Sequence, residues 1–284
     1  MTSDLLAHAP LGKRSDTPQG YDPGLLFPIP RTLARDELGL EGALPFMGVD
    51  TWTAFELGWL NPKGKPQVGM ARIHVPCETP CMIESKSFKL YLNSFNDHRF
   101  GSADEVAQCI TQDIQPVLWD GAATGPAVSV ELISPEAFAQ QRIVELEGLS
   151  LDRLDIDMDD PAGEQDQSLA CVPDDAVVEE VLRSDLVRAL CRVTGQPDWG
   201  SVQIRYVGRA IDQERLLRYL IGFRNLQEFH EPLCERIFLD VWQQCRPLKL
   251  QVQIRFTRRG GMDINPFRTS YPSPLPGPHR LARQ

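Results

Sequence analysis

Ala71, Ile73 and Val75 alternate with Arg72 and His74, the two-residue period of a half-buried strand. Val128, Val130 and Leu132 alternate with Ser129 and Glu131, and Val202, Ile204 and Tyr206 repeat the pattern further on. Leu248, Leu250, Val252, Ile254 and Phe256 alternate with Lys249, Gln251, Gln253, Arg255 and Thr257, the cleanest strand in the chain. Between these strands the spacing turns helical. Ser102-Ala103-Asp104-Glu105 is a capping box, and Val106, Ile110 and Ile114 follow at helical intervals. Pro232 sits where a helix can begin, and Leu233, Ile237, Val241 and Cys245 step by four behind it.

Residues 84–96 fit both periods, since Phe88, Leu90 and Leu92 alternate while Phe88, Leu92 and Phe95 recur as on a helix. The plainly helical stretch 212–225 shows the same spacing at Leu216, Leu220 and Phe223, and this comparison assigns 84–96 to a helix. Each half then reads strand, helix, helix, strand, which predicts a duplicated α+β module of antiparallel sheet with two helices on one face. The first 45 residues, rich in Pro, Gly and Asp, read as an N-terminal arm. Modules are expected over 46–150 and 181–284, joined by an acidic linker, 151–180, that Pro161 and Pro173 interrupt.

Composition narrows the partners. A net charge of −10 argues against a broad grip on a nucleic-acid backbone, which needs a basic face. No stretch approaches the ~20 apolar residues that span a bilayer, and the first thirty residues hold no apolar signal core. Seven cysteines at irregular spacing fit reduced thiols better than a disulfide framework. A soluble, cytoplasmic protein is expected.

Candidate chemistry is sparse. Neither a Rossmann fingerprint nor a P-loop is present, so a bound nucleotide must have its phosphates held by side-chain cations. Cys77 and Cys81 lack a second ligand pair, and the acidic run 155–166 lacks the Gly and Glu of a calcium loop, so no metal is expected. Cys191 precedes a Gly/Pro/Asp turn that carries Asp198. It reads either as a buried structural thiol or as a nucleophile with a carboxyl to move its proton. Glu84-Ser85-Lys86 and His230-Glu231 open equivalent predicted helices, where capping is the plain account and a pocket the functional one. Arg258-Arg259-Gly260-Gly261 reads as a solvated hairpin or as a phosphate-binding loop.

Taken together, the segments ESKSFKLYLNSFN (84–96), Cys191 with QPDWGS (196–201), FHE (229–231) with ERIF (235–238), RRGGMDINP (258–266) and WTAFELGWLNPKGKPQV (52–68) resemble one family. It is the long, two-module form of NADPH-dependent 7-cyano-7-deazaguanine reductase, of queuosine biosynthesis. The resemblance implies the tunnelling fold (T-fold), a homodimer, and four-electron reduction of a nitrile to a primary amine with two NADPH. It implies Cys191 as the nucleophile forming a thioimide and Asp198 as its acid/base. Glu84 and Glu231 match the substrate carboxylates, with Ile83, Ser85 and His230 beside them. Ser85, Lys86, Arg259 and Gly260 match cofactor positions, and Lys89 and Arg258 are placed to help with the 2′-phosphate. Arg192, directly after the nucleophile, departs from the apolar residue expected there.

Three rivals remain: a hydrolase that releases ammonia from the thioimide, a zinc-dependent cyclohydrolase, and a non-catalytic purine-binding module. The first leaves the Lys/Arg set without purpose, and the second lacks ligands. The third makes Cys191 replaceable.

Overall fold

The structure, a computed structural model, describes residues 10, 20–121, 125–158 and 169–284. They group into two units. The first takes the described residues up to Leu44 with Val49–Arg142 and Arg258–Ile264; the second takes those of Pro45–Gly48, Ile143–Thr257 and Asn265–Gln284. The groups are discontinuous in sequence: 258–264 joins the first unit, and 143–150 joins the second.

In the first unit β1 (Pro28–Pro30) pairs antiparallel with β4 (Cys81–Ile83). The strands β2 (Met47–Leu60), β3 (Pro66–Pro76) and β5 (Ser129–Ile133) lie in the order β5-β3-β2, all antiparallel. Helices α1 (Ser85–Asn93) and α2 (Ala103–Leu118) follow the hairpin. In the second unit β6 (Leu149–Ser150), β7 (Val177–Leu190), β8 (Pro197–Arg209), β9 (Lys249–Phe256) and the end of β10 (Met262–Thr269) run in the order β10-β9-β8-β7-β6. Only the two-residue pairing of β6 with β7 is parallel among these. Helices α3 (Gln213–Gly222) and α4 (His230–Cys245) pack on β7 and β9 respectively. The architecture is mixed α+β with largely antiparallel sheet.

Residues 84–96 do form a helix, with Phe88, Tyr91 and Leu92 on its buried side. The capping box works as expected: Ser102 accepts from the Glu105 N–H at 3.1 Å, and Glu105 reaches back to the Gly101 N–H. Each half, however, begins with a long hairpin rather than a single strand. The extra strands β2 and β7 escape the alternating pattern because each carries a bulge, between Ala54 and Leu57 and between Ser184 and Val187. The buried positions change parity there, from Trp52 and Ala54 to Leu57 and Trp59, and from Leu182 and Ser184 to Val187 and Ala189. Strand β10 is buried at all eight positions, so it shows no period of two. The expected linker is shorter than 151–180: β7 already begins at Val177, and Leu151 and Leu169 are buried. Pro161 and the rest of 159–168 lie outside the described residues.

The first unit's core joins Trp52, Ala54, Leu57, Ala71, Ile73 and Val75 of the hairpin to Phe88, Phe95, Ile110 and Ile114 of the helices. In the second unit Val202, Ile204, Leu250, Val252 and Ile254 are at most 1% exposed, as are Leu216, Leu220, Ile237 and Val241 of the helices. Each such side chain contributes about 1.5–3 kcal/mol by leaving water.

The hairpin corners share the same main-chain clamp, with the first unit's turn one residue shorter than the second's. In the second unit Cys191 N–H donates to Gln196 O (2.8 Å), and Gly195 N–H donates to Cys191 O (2.9 Å). Leu190 N–H donates to Leu226 O (2.8 Å), and Leu190 O accepts from Glu228 N–H (3.0 Å). In the first unit Asn61 N–H donates to Lys65 O (2.9 Å) and Gly64 N–H to Asn61 O (2.8 Å). Leu60 N–H donates to His98 O (2.8 Å), and Leu60 O accepts from Phe100 N–H (2.9 Å). Gly64 and Gly195 both take left-handed φ, +81° and +66°, as such a turn requires. Asn61 therefore stands where the second copy has Cys191, and its side chain caps the turn by accepting from Lys63 and Lys65 N–H, each at 3.0 Å.

Candidate active site

Cys191 leaves the end of β7 at a corner held from two sides. Leu190 pairs with Pro197 of β8 and makes a parallel bridge to Gln227. That clamp brings the segment 226–231, and with it the start of α4, to the Cys191 hairpin. The thiol residue is 7% exposed, in the buried class that is usual for structural cysteines. Asp198, opposite Ala189 in the β7–β8 register, is 4% exposed. Its Oδ2 lies 3.4 Å from His230 Nε2. The imidazole stacks flat on Phe256, with centroids 3.8 Å apart and planes 8° from parallel. His230 Nδ1 is buried with no hydrogen-bond partner among the described residues, a position that a ligand or water would complete. Glu231 is buried in the first turn of α4, whose positive end favours its charge.

Two residues of this corner had no sequence signal. Phe256 is indistinguishable from a core position in its alternating strand. Glu228 looks like surface charge, yet it is 3% exposed and paired with Arg192 (3.2 Å) and Arg236 (3.9 Å).

The remaining predicted residues lie in the first unit. Glu84 caps α1, its Oε1 accepting from Lys86 N–H and its Oε2 from Ser87 N–H, each at 2.7 Å. Burial pushes the Glu84 carboxyl above its usual range, against the pull of those two N–H groups and of Lys89 and Lys86. Ser85 opens the helix. Ile83 is packed in the core, lining a small apolar cavity with Trp52, Ile73 and Phe88, and its strand position pairs with Pro28. Arg259 and Met262 bond to each other across Gly260 and Gly261, at φ +57° and +73°, the two left-handed positions of a tight hairpin turn. A cavity of about 250 Å³ lies between this turn and α1, lined by Lys86, Lys89, Asn93, Glu56, Gly260 and Gly261. A Cβ on Gly260 would meet the Lys89 side chain only at ordinary contact distance, 3.4–3.6 Å, so it is the φ of +57° rather than space that calls for glycine. Arg258 lies over the Phe55 ring at 4.6 Å. The cations Lys86 and Lys89 face one groove, and Ser85 and Arg259 flank it in sequence. Among the described residues no three His, Cys, Asp or Glu side chains gather as a metal site.

Two family models match the chain. Residues 17–130 match "Nitrile reductase, 7-cyano-7-deazaguanine-reductase N-term", and residues 197–273 match "QueF-like protein". A protein of Acidovorax ebreus named NADPH-dependent 7-cyano-7-deazaguanine reductase is 55% identical over 98% of each chain. Same-named proteins of Polaromonas sp. and Albidiferax ferrireducens are 56% and 54% identical, over 98% of each chain. This chain belongs to the NADPH-dependent 7-cyano-7-deazaguanine reductase family. The match to these relatives spans residues of both units. A crystal structure of the archaeosine synthase QueF-Like in the apo form matches 36% of the chain and 99% of its own at 17% identity and TM-score 0.31, too slight a likeness to bear on the fold. Among the described residues no helix is long and apolar enough to cross a membrane.

Proposed function

We propose that this chain reduces the nitrile of 7-cyano-7-deazaguanine to the aminomethyl group with NADPH, through a thioimide on Cys191, as a step in queuosine biosynthesis. The observation that carries the reading is the corner itself: one buried thiol, with an Asp198–His230 pair on the adjoining strand and helix start. The thiol of Cys191 adds to the nitrile carbon while Asp198 takes its proton and passes it to the nitrile nitrogen, giving a C(=NH)–S bond with no atom lost. His230, held flat by Phe256, orients the Asp198 carboxylate and offers Nδ1 to the substrate. Glu231 and Glu84 are acceptors for the N–H edge of the deazaguanine. Each oxygen of Glu84 already takes one backbone N–H, and a carboxylate oxygen has a second lone pair to give.

The lysine groove suits the cofactor's phosphates: two ammonium groups, the Asn93 amide and a glycine turn line it, and Arg259 begins that turn. Lys86, Lys89, Ser85, Arg259 and Gly260 hold NADPH there. Two NADPH bound in turn would supply one hydride each, and one solvent proton joins the thiol's proton on the nitrogen to complete the amine. Cys191 leaves as thiolate once its carbon is reduced, and Asp198 relays a second solvent proton to it. The T-fold, a homodimer, a cytoplasmic setting and no direct nucleic-acid contact belong to the same reading.

Intact-mass spectrometry of the protein with 7-cyano-7-deazaguanine and no NADPH tests it. An adduct equal to the whole nitrile is expected on wild type and not on Cys191→Ala, which also oxidises no NADPH. Turnover by the alanine variant, or wild-type turnover without any adduct, would overturn the nucleophile assignment.

A further inference from the structure

Arg192 and Glu228 meet at the Cys191 corner, and the internal repeat isolates what they add. Both corners are built by the same backbone bonds, Leu60 clamped by His98 and Phe100, Leu190 by Leu226 and Glu228. In the first unit Pro62 and Phe100 hold the positions of Arg192 and Glu228, and an exposed bond from Arg99 to Pro62 O (2.7 Å) ties turn to return segment. In the second unit that tie is an ion pair with one member buried. Arg192 Nη1 donates to Glu228 Oε1 at 3.2 Å, with the carboxylate side chain 3% exposed. The same Oε1 accepts the Phe229 N–H at 3.0 Å, directly before His230. Arg236 of α4 stands 3.9 Å from Oε2. One carboxylate thus links the residue after the nucleophile to the backbone before the histidine and to the helix behind it.

We infer that the Arg192–Glu228 pair is a positioning device that fixes the Cys191 turn against the segment carrying His230. The inference rests on Cys191 being the nucleophile. Burying a carboxylate costs stability unless a cation meets it, and a neutral tie would build the corner as the first unit does. The charge pair holds the geometry to one arrangement, and small misplacement of a nucleophile is expensive in rate.

The test compares wild type, Arg192→Leu, Glu228→Gln, their double variant, Arg192→Lys and Cys191→Ala as full chains, with melting temperatures to verify folding. Two quantities are read: kcat and KM for the nitrile, and the rate at which iodoacetamide alkylates Cys191. Arg192→Leu and Glu228→Gln are each expected to lower kcat on the order of 10-fold while KM moves less than about 3-fold. Alkylation moves the other way and quickens, because a loosened turn exposes a buried thiol. The double variant is no worse than the worse single, since both break one link. Arg192→Lys keeps the cation and recovers part of kcat. A raised KM with unchanged kcat, effects that multiply in the double variant, or alkylation unchanged or slower overturns the inference. A dead Cys191→Ala beside wild-type kinetics in Arg192→Leu sinks this inference alone. An active Cys191→Ala sinks the nucleophile reading, and the alkylation rate then still decides the role of the pair.

Discussion

Replacing Glu84 by Gln separates the capping of α1 from the cost of burying its charge. The carboxylate gives one oxygen to Lys86 N–H and one to Ser87 N–H, both at 2.7 Å, in a residue 1% exposed. Glutamine keeps one acceptor oxygen, so one buried N–H loses its partner, a loss of about 1–3 kcal/mol. Relief of the buried charge offsets part of this, and the balance is about 1 kcal/mol of destabilisation near neutral pH. For a chain of this size that is a fall of roughly 2–4 °C in Tm.

The sign of the pH dependence follows from the raised Glu84 carboxyl. Its folded form binds a proton more readily than the unfolded chain. Its contribution is therefore fully present below the ordinary value of 4.5 and is lost as pH rises through the elevated folded value. Other groups titrate alike in both proteins and cancel. Calorimetric melts of wild type and Glu84→Gln from about pH 4.5 upward should show the wild-type advantage largest in acid and narrowing with rising pH. An advantage that widens as pH rises would refute the reasoning, because the cap would then outweigh desolvation.

Two further substitutions probe the site. Phe256→Leu keeps an apolar side chain but removes the flat contact with His230. The lost pair, about 0.5–1.5 kcal/mol, corresponds to a fall of about 2- to 10-fold in kcat/KM for the nitrile, and unchanged efficiency in steady-state assays would count against a positioning role for the ring. Gly261→Ala places a Cβ 2.4 Å from Glu56 Cδ at φ +73°, so Tm should fall by the equivalent of roughly 1–2 kcal/mol and KM for NADPH should rise, while KM for the nitrile stays put. A variant with wild-type KM for NADPH would detach the turn from cofactor binding.

Much of this molecule is written in its periodicities, and its gaps have identifiable causes. The helices declare themselves through Ser102 and through the matched spacing of Phe88 and Leu216. The long strands β2 and β7 are hidden by bulges that swap their buried parity, and β10 by burial on both sides. For the site, the motif residues were legible one at a time, but their grouping was not. The Asp198–His230 contact depends on a clamp between residues far apart in sequence, Leu190 with Leu226 and Glu228. Phe256 and Glu228 belong to classes, core aromatic and surface acid, whose members rarely advertise a task.

The repeated corner bears on how such a chain can change over generations. Its clamp is made of main-chain bonds, from Leu60 to His98 and Phe100 and from Leu190 to Leu226 and Glu228, whether Asn61 or Cys191 comes next. Selection on shape and selection on reactivity therefore act on different atoms. One corner is free to drift in chemistry while it still folds, and a lost thiol need not entail a lost domain. A repeated corner of this kind holds a spare setting for a reactive group, ready to be filled or left blank by a single codon.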